Sequence, residues 1–238
     1  MLARLSDLVW PPRSLLSEAI VDRPGVIEAG LWAELNFLGE PRCFRCGFPL
    51  PEEAGPEAVC GACAGRAPAF DHARAALVYN DHARRLILDL KRGGRRDGLP
   101  VFARWMAAAA QEQVSAADFL VPAPMHWTRL AVRSFNQAAW LAQALARASG
   151  KPWRPEALVR VKRRKSQAGL SASERRRNVA GAIKAAGRFD GASILVVDDV
   201  YTTGATLEAC ARALRKAGAA RVDAVTLARV VRPTDILS

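Results

Sequence analysis

No uncharged apolar run in the 238-residue sequence approaches the roughly 18 residues that a membrane-spanning helix needs. The first residues also lack the basic head and long apolar stretch of a secretory signal, because Arg4 and Asp7 interrupt them before Pro11-Pro12. We therefore expect a cytoplasmic protein without an integral membrane segment. Internal repeats and low-complexity segments are absent as well. Half of the residues are hydrophobic, which is enough for a core and excludes disorder over most of the chain.

Positive charge is the main imbalance in the composition. The 35 Lys and Arg residues exceed the 23 Asp and Glu residues and give a net charge of +12. Nearly all of this excess lies in residues 151–188, which contain twelve Lys or Arg and only two Glu. Such a localised basic segment indicates a polyanionic partner, either nucleic acid or a phosphorylated small molecule. A solvated surface loop is the alternative interpretation.

Cysteine is scarce, but four of the five cysteines form a motif. Cys43, Cys46, Cys60 and Cys63 make a CxxC pair, thirteen intervening residues and a second CxxC pair. Two such pairs can supply four thiolates to one tetrahedral zinc ion, and four sulfur ligands predict a structural site. Two disulfides are the alternative, which a reducing compartment disfavours, and the spacing is unlike a thioredoxin-type redox motif. Cys210 lies in an Ala/Leu-rich helical pattern and is expected to be buried.

Beyond residue 71, short apolar runs alternate with helical patterns. Strands are predicted at 75–79, 119–121, 194–197 and 222–227, and helices at 82–90, 101–114, 135–148 and 204–216. This alternation is typical of βαβ units and predicts an α/β fold with a mostly parallel sheet flanked by helices. We expect three parts: an N-terminal helical segment at 1–41, with amphipathic stretches at 2–10 and 26–38, a small zinc-binding module at 42–70, and the α/β domain at 71–238.

The most informative motif follows the apolar run at 194–197. It reads DDVYTTGAT over residues 198–206, so two acids precede a loop of small and hydroxyl-bearing residues that leads into a helix. The backbone N–H groups of such a loop and of the helix N-terminus bind anions, and the Thr hydroxyls add donors. The two carboxylates can accept hydrogen bonds from vicinal sugar hydroxyls. The motif therefore predicts a sugar-phosphate site at the carboxyl end of a strand. A Thr-capped helix beside turn acids would not account for all of these features.

This segment resembles the signature with which type I phosphoribosyltransferases bind phosphoribosyl diphosphate (PRPP). The whole chain resembles the ComF family of competence-associated proteins, in which an N-terminal zinc-binding segment precedes a phosphoribosyltransferase domain. The resemblance covers roughly residues 41–230, and Ser134 stands where the family usually has Gly. Its other motifs are VPAP at 121–124, RSFNQ at 133–137, LVR at 158–160, SQ at 166–167, RNV at 177–179 and LAR at 227–229. It implies a type I phosphoribosyltransferase-like sheet with a small N-terminal zinc-ribbon module.

The resemblance also implies roles for individual residues. Asp198 and Asp199 would hold the ribose hydroxyls and, with Arg175, serve catalysis. The residues that bind PRPP would be these two acids together with Thr202, Thr203, Gly204, Ala205 and Thr206, which cradle the 5′-phosphate. The residues that meet pyrophosphate would be Pro122, Ala123 and Pro124. The residues of a mobile flap over 160–178 would include Arg160, Gln167, Arg177 and Asn178, with Lys91 and Arg92 adding positive charge nearby.

An enzyme of this class would transfer the phosphoribosyl group to a nucleophile, usually a nitrogen, and release pyrophosphate with the help of Mg²⁺. No base-recognition element is visible in the sequence, so the acceptor is not indicated. The alternative is a non-catalytic competence factor that binds single-stranded DNA and uses the PRPP site only for regulation. A PRPP-dependent transcription regulator fits less well, since no DNA-reading helix is recognisable. The DNA-uptake machinery and a second copy of the chain are further expected partners.

Overall fold

The structure, a computed structural model, describes residues 11–91, 95–125, 136–161 and 182–231. Four strands form its central sheet: β1 (Ala73–Val78), β2 (Phe119–Pro122), β5 (Ser193–Tyr201) and β6 (Arg221–Arg229). Their spatial order is β1, β6, β5, β2, and every neighbouring pair is parallel. The prediction of a mostly parallel sheet is therefore confirmed. All four carboxyl ends lie along one edge of the sheet, where ligands bind in open α/β folds.

A smaller antiparallel ribbon joins β3 (Leu158–Arg160) to β4 (Ile183–Ala185). Leu158 and Ile183 are buried in one of the two main cores, so the ribbon packs on one face of the central sheet. The predicted flap at 160–178 begins here, since Arg160 is the last residue of β3. The other flap residues and the predicted catalytic arginine lie outside the described residues: Gln167, Arg175, Arg177 and Asn178.

Seven helices accompany the strands in the described ranges. They are α1 (Ala29–Trp32), α2 (Gly61–Gly65), α3 (Asp81–Lys91), α4 (Leu99–Ala109), α5 (Gln111–Ala116), α6 (Gln137–Ser149) and α7 (Ala205–Lys216). The prediction of a single helix over 101–114 is wrong, because the backbone leaves the helical region at Ala110 (φ −122°, ψ 36°). This break turns α5 so that Val114 remains in the core. Within these ranges, no helix has the length and apolar character to cross a membrane.

Successive residues of β5 face opposite sides of the sheet. Leu195 and Val197 join the core that contains α3, α4 and α6, whereas Ile194 and Val196 join the core that contains α7 and the cysteine module. All four side chains are at most 1 % exposed. Because the strand is buried on both faces, its sequence is a continuous apolar run rather than an alternating one. This double burial fixes the position of the acids that follow the run.

The N-terminal segment covers the face that carries α3 and α4. Leu15, Leu16 and Leu35 are buried in the core of that face. Of the amphipathic stretch predicted at 26–38, only α1 is helical, and the stretch at 2–10 lies outside the described residues. The rest of the segment is held by side-chain packing instead. The rings of Trp32, Phe37 and Trp105 have centroids 5.3–5.5 Å apart, which anchors the segment to α4.

Candidate functional site

Four cysteines come together within the zinc-binding module at 42–70, here called the cysteine module. The Sγ atoms of Cys43, Cys46, Cys60 and Cys63 lie within 4.8 Å of one another, and all four residues are buried. The Sγ atoms of Cys46 and Cys60 are 3.6 Å apart. In a tetrahedral zinc site with Zn–S bonds of about 2.3 Å, neighbouring sulfur atoms are separated by about 3.8 Å, so the observed distance is close to that value. All four thiols are free of disulfide bonds. The cluster therefore fits a structural zinc ion and leaves no coordination position for a substrate.

Backbone contacts hold this cysteine cluster against the sheet. The N–H groups of Cys46 and Cys60 donate to Sγ of Cys43 over 3.4 and 3.3 Å. Gly47 has a φ of +67°, and a Cβ atom at this position would lie 2.6 Å from the carbonyl oxygen of Ala73. The missing side chain thus allows the first CxxC turn to approach β1 closely. At this close approach, the N–H group of Ala73 donates a hydrogen bond to the carbonyl oxygen of Arg45 over 2.7 Å.

Arg229, the last residue of β6, connects the cysteine cluster with the end of β5. It is 5 % exposed, and its guanidinium donates a hydrogen bond to the carbonyl oxygen of Cys46. The same guanidinium lies over the rings of Phe48 and Tyr201, at 5.2 and 4.3 Å from their centroids. Burial raises the pKa of the Tyr201 hydroxyl above its ordinary value, so the ring stays neutral under the cation. The final residue of β5 is therefore fixed from the side of the zinc module.

A second link joins the cysteine module to α7. Glu208, in the first turn of this helix, is 6 % exposed. Its carboxylate accepts hydrogen bonds from Arg66 of the cysteine module and, over 2.7 Å, from Arg212 one turn further along the helix. The bond to Glu208 raises the pKa of Arg66. The helix that follows the motif at 198–206 is thus attached to the cysteine module by an ion pair.

The predicted phosphate-binding loop lies at the carboxyl end of β5 and leads into α7. Gly204, with a φ of +72°, directly precedes this 12-residue helix. A Cβ atom on Gly204 would lie 2.5 Å from the Tyr201 Oη atom, so the loop requires glycine here for space as well as for conformation. Thr202 is exposed, and Thr203 and Thr206 are partly exposed. Because N–H groups in a first helical turn lack intrahelical partners, the loop and the start of the helix present donors of the kind that an anion accepts from.

The two acids occupy different local environments. Asp198 accepts a hydrogen bond from the backbone N–H of Asp199 over 2.9 Å. Asp199 forms an ion pair with Lys91, the last residue of α3, at an Nζ–Oδ2 distance of 2.6 Å. Both members of the pair remain partly exposed, with 27 % of the Lys91 side chain and 16 % of the Asp199 side chain accessible. A ligand entering from solvent can therefore reach both groups.

A cavity of about 280 Å³ brings these groups together. Its lining residues are Lys91, Ala123, Pro124, Met125, Asn136, Gln137, Ala138, Arg160, Asp198, Asp199, Val200, Thr202 and Thr206. An adjoining recess is lined by the remaining loop residues Thr203, Gly204 and Ala205. Pro122 is buried at the end of β2 and is not part of the cavity wall. Asn136 and Gln137 were not predicted to be site residues from the sequence, although both belong to the RSFNQ motif at 133–137.

Comparison with known proteins gives two family matches. Residues 131–235 match the phosphoribosyl transferase domain, and residues 5–64 match the double zinc ribbon domain. The chain is 30% identical over 194 residues to DNA utilization protein YhgH of Salmonella typhimurium, covering 79% of this chain and 84% of that protein. It is 31% identical over 197 residues to Competence protein F of Haemophilus influenzae, covering 79% and 85%. The chain belongs to the ComF family. Competence protein ComFC of Bacillus subtilis, a further relative, is 32% identical over 158 residues, or 66% of this chain and 63% of that protein.

Both ComF parts correspond to features of this structure. The double zinc ribbon match ends at residue 64, directly after Cys63, and so includes all four clustered cysteines. The phosphoribosyl transferase match includes the motif at 198–206. Among solved structures, phosphoribosylpyrophosphate synthetase from Mycobacterium smegmatis aligns with 57% of this chain and 35% of its own, at 16% identity and a TM-score of 0.34.

Proposed function

We propose that this ComF protein binds PRPP and Mg²⁺ in the cavity at the carboxyl end of β5 and transfers the phosphoribosyl group to an acceptor, releasing pyrophosphate. The main support is that three groups meet in this cavity and in the recess that adjoins it. These are the acid pair Asp198 and Asp199, the threonine loop at 202–206, and the end of the Pro122–Pro124 turn. They suit, in order, ribose hydroxyls, a 5′-phosphate and a diphosphate.

In this proposal the reaction is a displacement at the anomeric carbon. The nucleophile forms a bond to that carbon while the bond to the diphosphate oxygen breaks, and the diphosphate leaves with the electron pair. Mg²⁺ would neutralise charge on the diphosphate oxygens, which it prefers as ligands together with water and few protein groups. Arg160 lines the same cavity and adds positive charge. Arg175 and the flap residues Gln167, Arg177 and Asn178 would complete the enclosure and exclude water.

In this proposal, PRPP binding replaces the ion pair between Lys91 and Asp199. A ribose hydroxyl that donates to Asp199 competes with the Lys91 ammonium for the same carboxylate oxygen. Lys91 is a flexible point charge, so it can turn to a phosphate oxygen of the ligand while remaining at the cavity wall. PRPP binding would then replace one ion pair by a hydroxyl–carboxylate bond and an ammonium–phosphate contact.

Calorimetric titration of PRPP in the presence of Mg²⁺ tests this site. Asp199→Ala removes the partner of a ribose hydroxyl, and Thr203→Val removes a phosphate donor while keeping the side-chain shape. A hydrogen bond to a charged group contributes about 1.5–3 kcal/mol, so each variant should raise the Kd for PRPP roughly tenfold or more. Thr203→Ser keeps the hydroxyl and Asp89→Ala removes an acid of α3 outside the cavity lining, so both controls should bind as the wild type does. Unchanged affinity in Asp199→Ala and Thr203→Val would refute the site.

A pyrophosphate-release assay with a panel of nitrogenous acceptors separates catalysis from regulatory binding. Release that depends on Mg²⁺ and on an acceptor supports the transferase, and it should be lost in Asp199→Ala. PRPP binding without release under any acceptor would instead favour a non-catalytic factor. This assay also addresses the acceptor, which none of the described residues of the cavity identifies.

A role in DNA uptake, in the cytoplasm, is the second candidate. The relatives' names refer to DNA utilization and competence, and one described surface suits a nucleic-acid backbone. A groove of about 630 Å³ lies between the β3–β4 ribbon and α7, and its lining includes Lys184 and Lys216 together with Arg188 and Arg212. The two arginines are also paired with Asp190 and Glu208. Binding of single-stranded DNA there should weaken steeply with salt and fall further in a Lys184→Glu/Lys216→Glu double variant. Salt-insensitive binding, or no binding, would count against this role.

A further inference from the structure

Gln137 is the one buried polar side chain of the cavity wall whose amide nitrogen has no hydrogen-bond partner among the described residues. The residue is 2 % exposed and occupies the first position of α6. A buried donor without an acceptor is rare and unfavourable, since the lost bond to water is not replaced. Its neighbour Asn136 is, by contrast, hydrogen-bonded at both ends of its amide. The Asn136 side chain donates to the carbonyl oxygen of Ala123 and accepts from the N–H group of Ala138, each over 3.1 Å.

We infer that the Gln137 amide donates to a diphosphate oxygen of the bound ligand. This inference rests on the proposed function, because it assumes that PRPP occupies the cavity. The bond from Asn136 to Ala123 places the start of α6 directly beside the turn proposed to meet pyrophosphate. Gln137 lines this cavity. A half-turn about its last side-chain bond exchanges the positions of the N–H₂ group and the carbonyl oxygen, so the bound ligand would select the orientation that points N–H₂ at the diphosphate.

The chemistry of the site favours diphosphate over the other parts of the ligand. Ribose hydroxyls can donate and are matched by the acceptors Asp198 and Asp199, whereas diphosphate oxygens only accept and so match an N–H₂ donor. The N-terminus of α6, a 13-residue helix, carries positive partial charge on the same side. Lys91 supplies a full positive charge at the cavity wall. An unpaired donor, a helix N-terminus and a cation thus converge where an anion of high charge would lie.

Calorimetry with three probes in the presence of Mg²⁺ tests the inference: PRPP, inorganic pyrophosphate and ribose 5-phosphate. Gln137→Leu removes the donor, and Gln137→Glu replaces it by a negative charge at nearly constant size. Both variants should raise the Kd for pyrophosphate and for PRPP by roughly tenfold to a hundredfold and leave the Kd for ribose 5-phosphate unchanged. Gln143→Glu places the same charge on the same helix away from the cavity and should leave all three Kd values unchanged.

A structural role for Gln137 predicts a different pattern. If the side chain served only packing, Gln137→Leu would lower thermal stability and change the three affinities together. Because the substitution removes an unpaired buried donor, we instead expect a melting temperature equal to or above that of the wild type. Wild-type binding of all three probes, with pyrophosphate and PRPP unaffected by Gln137→Leu, overturns this inference alone. A wild-type protein that binds neither PRPP nor ribose 5-phosphate overturns the proposed function and the inference with it.

Discussion

Substitution of Gly204 by alanine tests whether the loop at 202–206 has room for a side chain at this position. Two features of this position oppose a side chain. The φ angle of +72° lies in the left-handed region, and the Cβ atom would approach the Tyr201 ring, at 2.5 Å from Oη and 2.8 Å from Cζ. The ring has little freedom to retreat, because Arg229 lies 4.3 Å from its centroid and Phe70 meets it edge-on at 6.3 Å.

The expected destabilisation has two contributions. A non-glycine residue in the left-handed region costs about 1–2 kcal/mol, and forcing an extra methyl group into a packed site costs about 1–3 kcal/mol. We therefore expect Gly204→Ala to lower the free energy of unfolding by about 2–5 kcal/mol. Gly150, which ends α6, offers a matched control, because its φ is +69° and a Cβ atom there would meet no other atom within 4 Å. Gly150→Ala should therefore show the conformational contribution alone, about 1–2 kcal/mol.

Urea denaturation followed by circular dichroism measures both free energies. The difference between the two variants isolates the contact with Tyr201. Tyr201→Phe removes the Oη atom, so it should recover part of the loss in the Gly204→Ala background and give a favourable coupling energy in the double-mutant cycle. Equal destabilisation by Gly204→Ala and Gly150→Ala, or no recovery in the double variant, would refute the claim that Tyr201 fills the space beside Gly204.

Two further predictions concern the zinc module. Purified wild-type protein should contain one zinc ion per chain by metal analysis, and Cys60→Ser should lose the ion and unfold at lower temperature, because structural zinc contributes folding free energy directly. Cys210→Ser, at a fully buried cysteine away from the cluster, should keep its zinc; full zinc content in Cys60→Ser would contradict the ligand assignment. Glu208→Gln should lower the free energy of unfolding by about 1 kcal/mol, since the two arginines that it binds are about half exposed. In a double-mutant cycle with Arg66→Met the two losses should not add, and strict additivity would mean that the ion pair contributes nothing.

The central sheet could be predicted because each of its strands is visible in the sequence as a short apolar run. The run at 194–197 is apolar without interruption, which only a strand covered on both faces requires. The position of Ala110 carries no such signal, because alanine is the strongest helix former and yet ends α4 here. The requirement that Val114 return to the core is a tertiary constraint, and local propensity cannot express it. The same reason explains why most of the described N-terminal segment is packed without being helical.

The candidate site divides in the same way. The acids and threonines at 198–206 are adjacent in sequence, so one motif identifies them together. The pairing of Lys91 with Asp199 joins residues more than a hundred positions apart, and it depends on where α3 ends relative to β5. Gln137 is harder still to identify, because glutamine at a helix start is common and carries no signal of its own. Only its burial and its unpaired amide, both products of the tertiary fold, mark it as a ligand contact.

Two buried arginines give a physical reason for the position of the zinc module. A zinc ion with four thiolate ligands is a net anion, and burying an anion is unfavourable unless positive charge lies nearby. Arg74 is 6 % exposed and donates to the carbonyl oxygen of Phe44, inside the first CxxC pair, over 3.0 Å. Arg229 donates to the carbonyl oxygen of Cys46. Arg229, one of these two cations, also packs on Tyr201, whose ring occupies the space beside Gly204. Arg229, the last residue of the LAR motif, therefore contributes both to the charge compensation of the metal site and to the position of the Tyr201 ring beside the loop at 202–206.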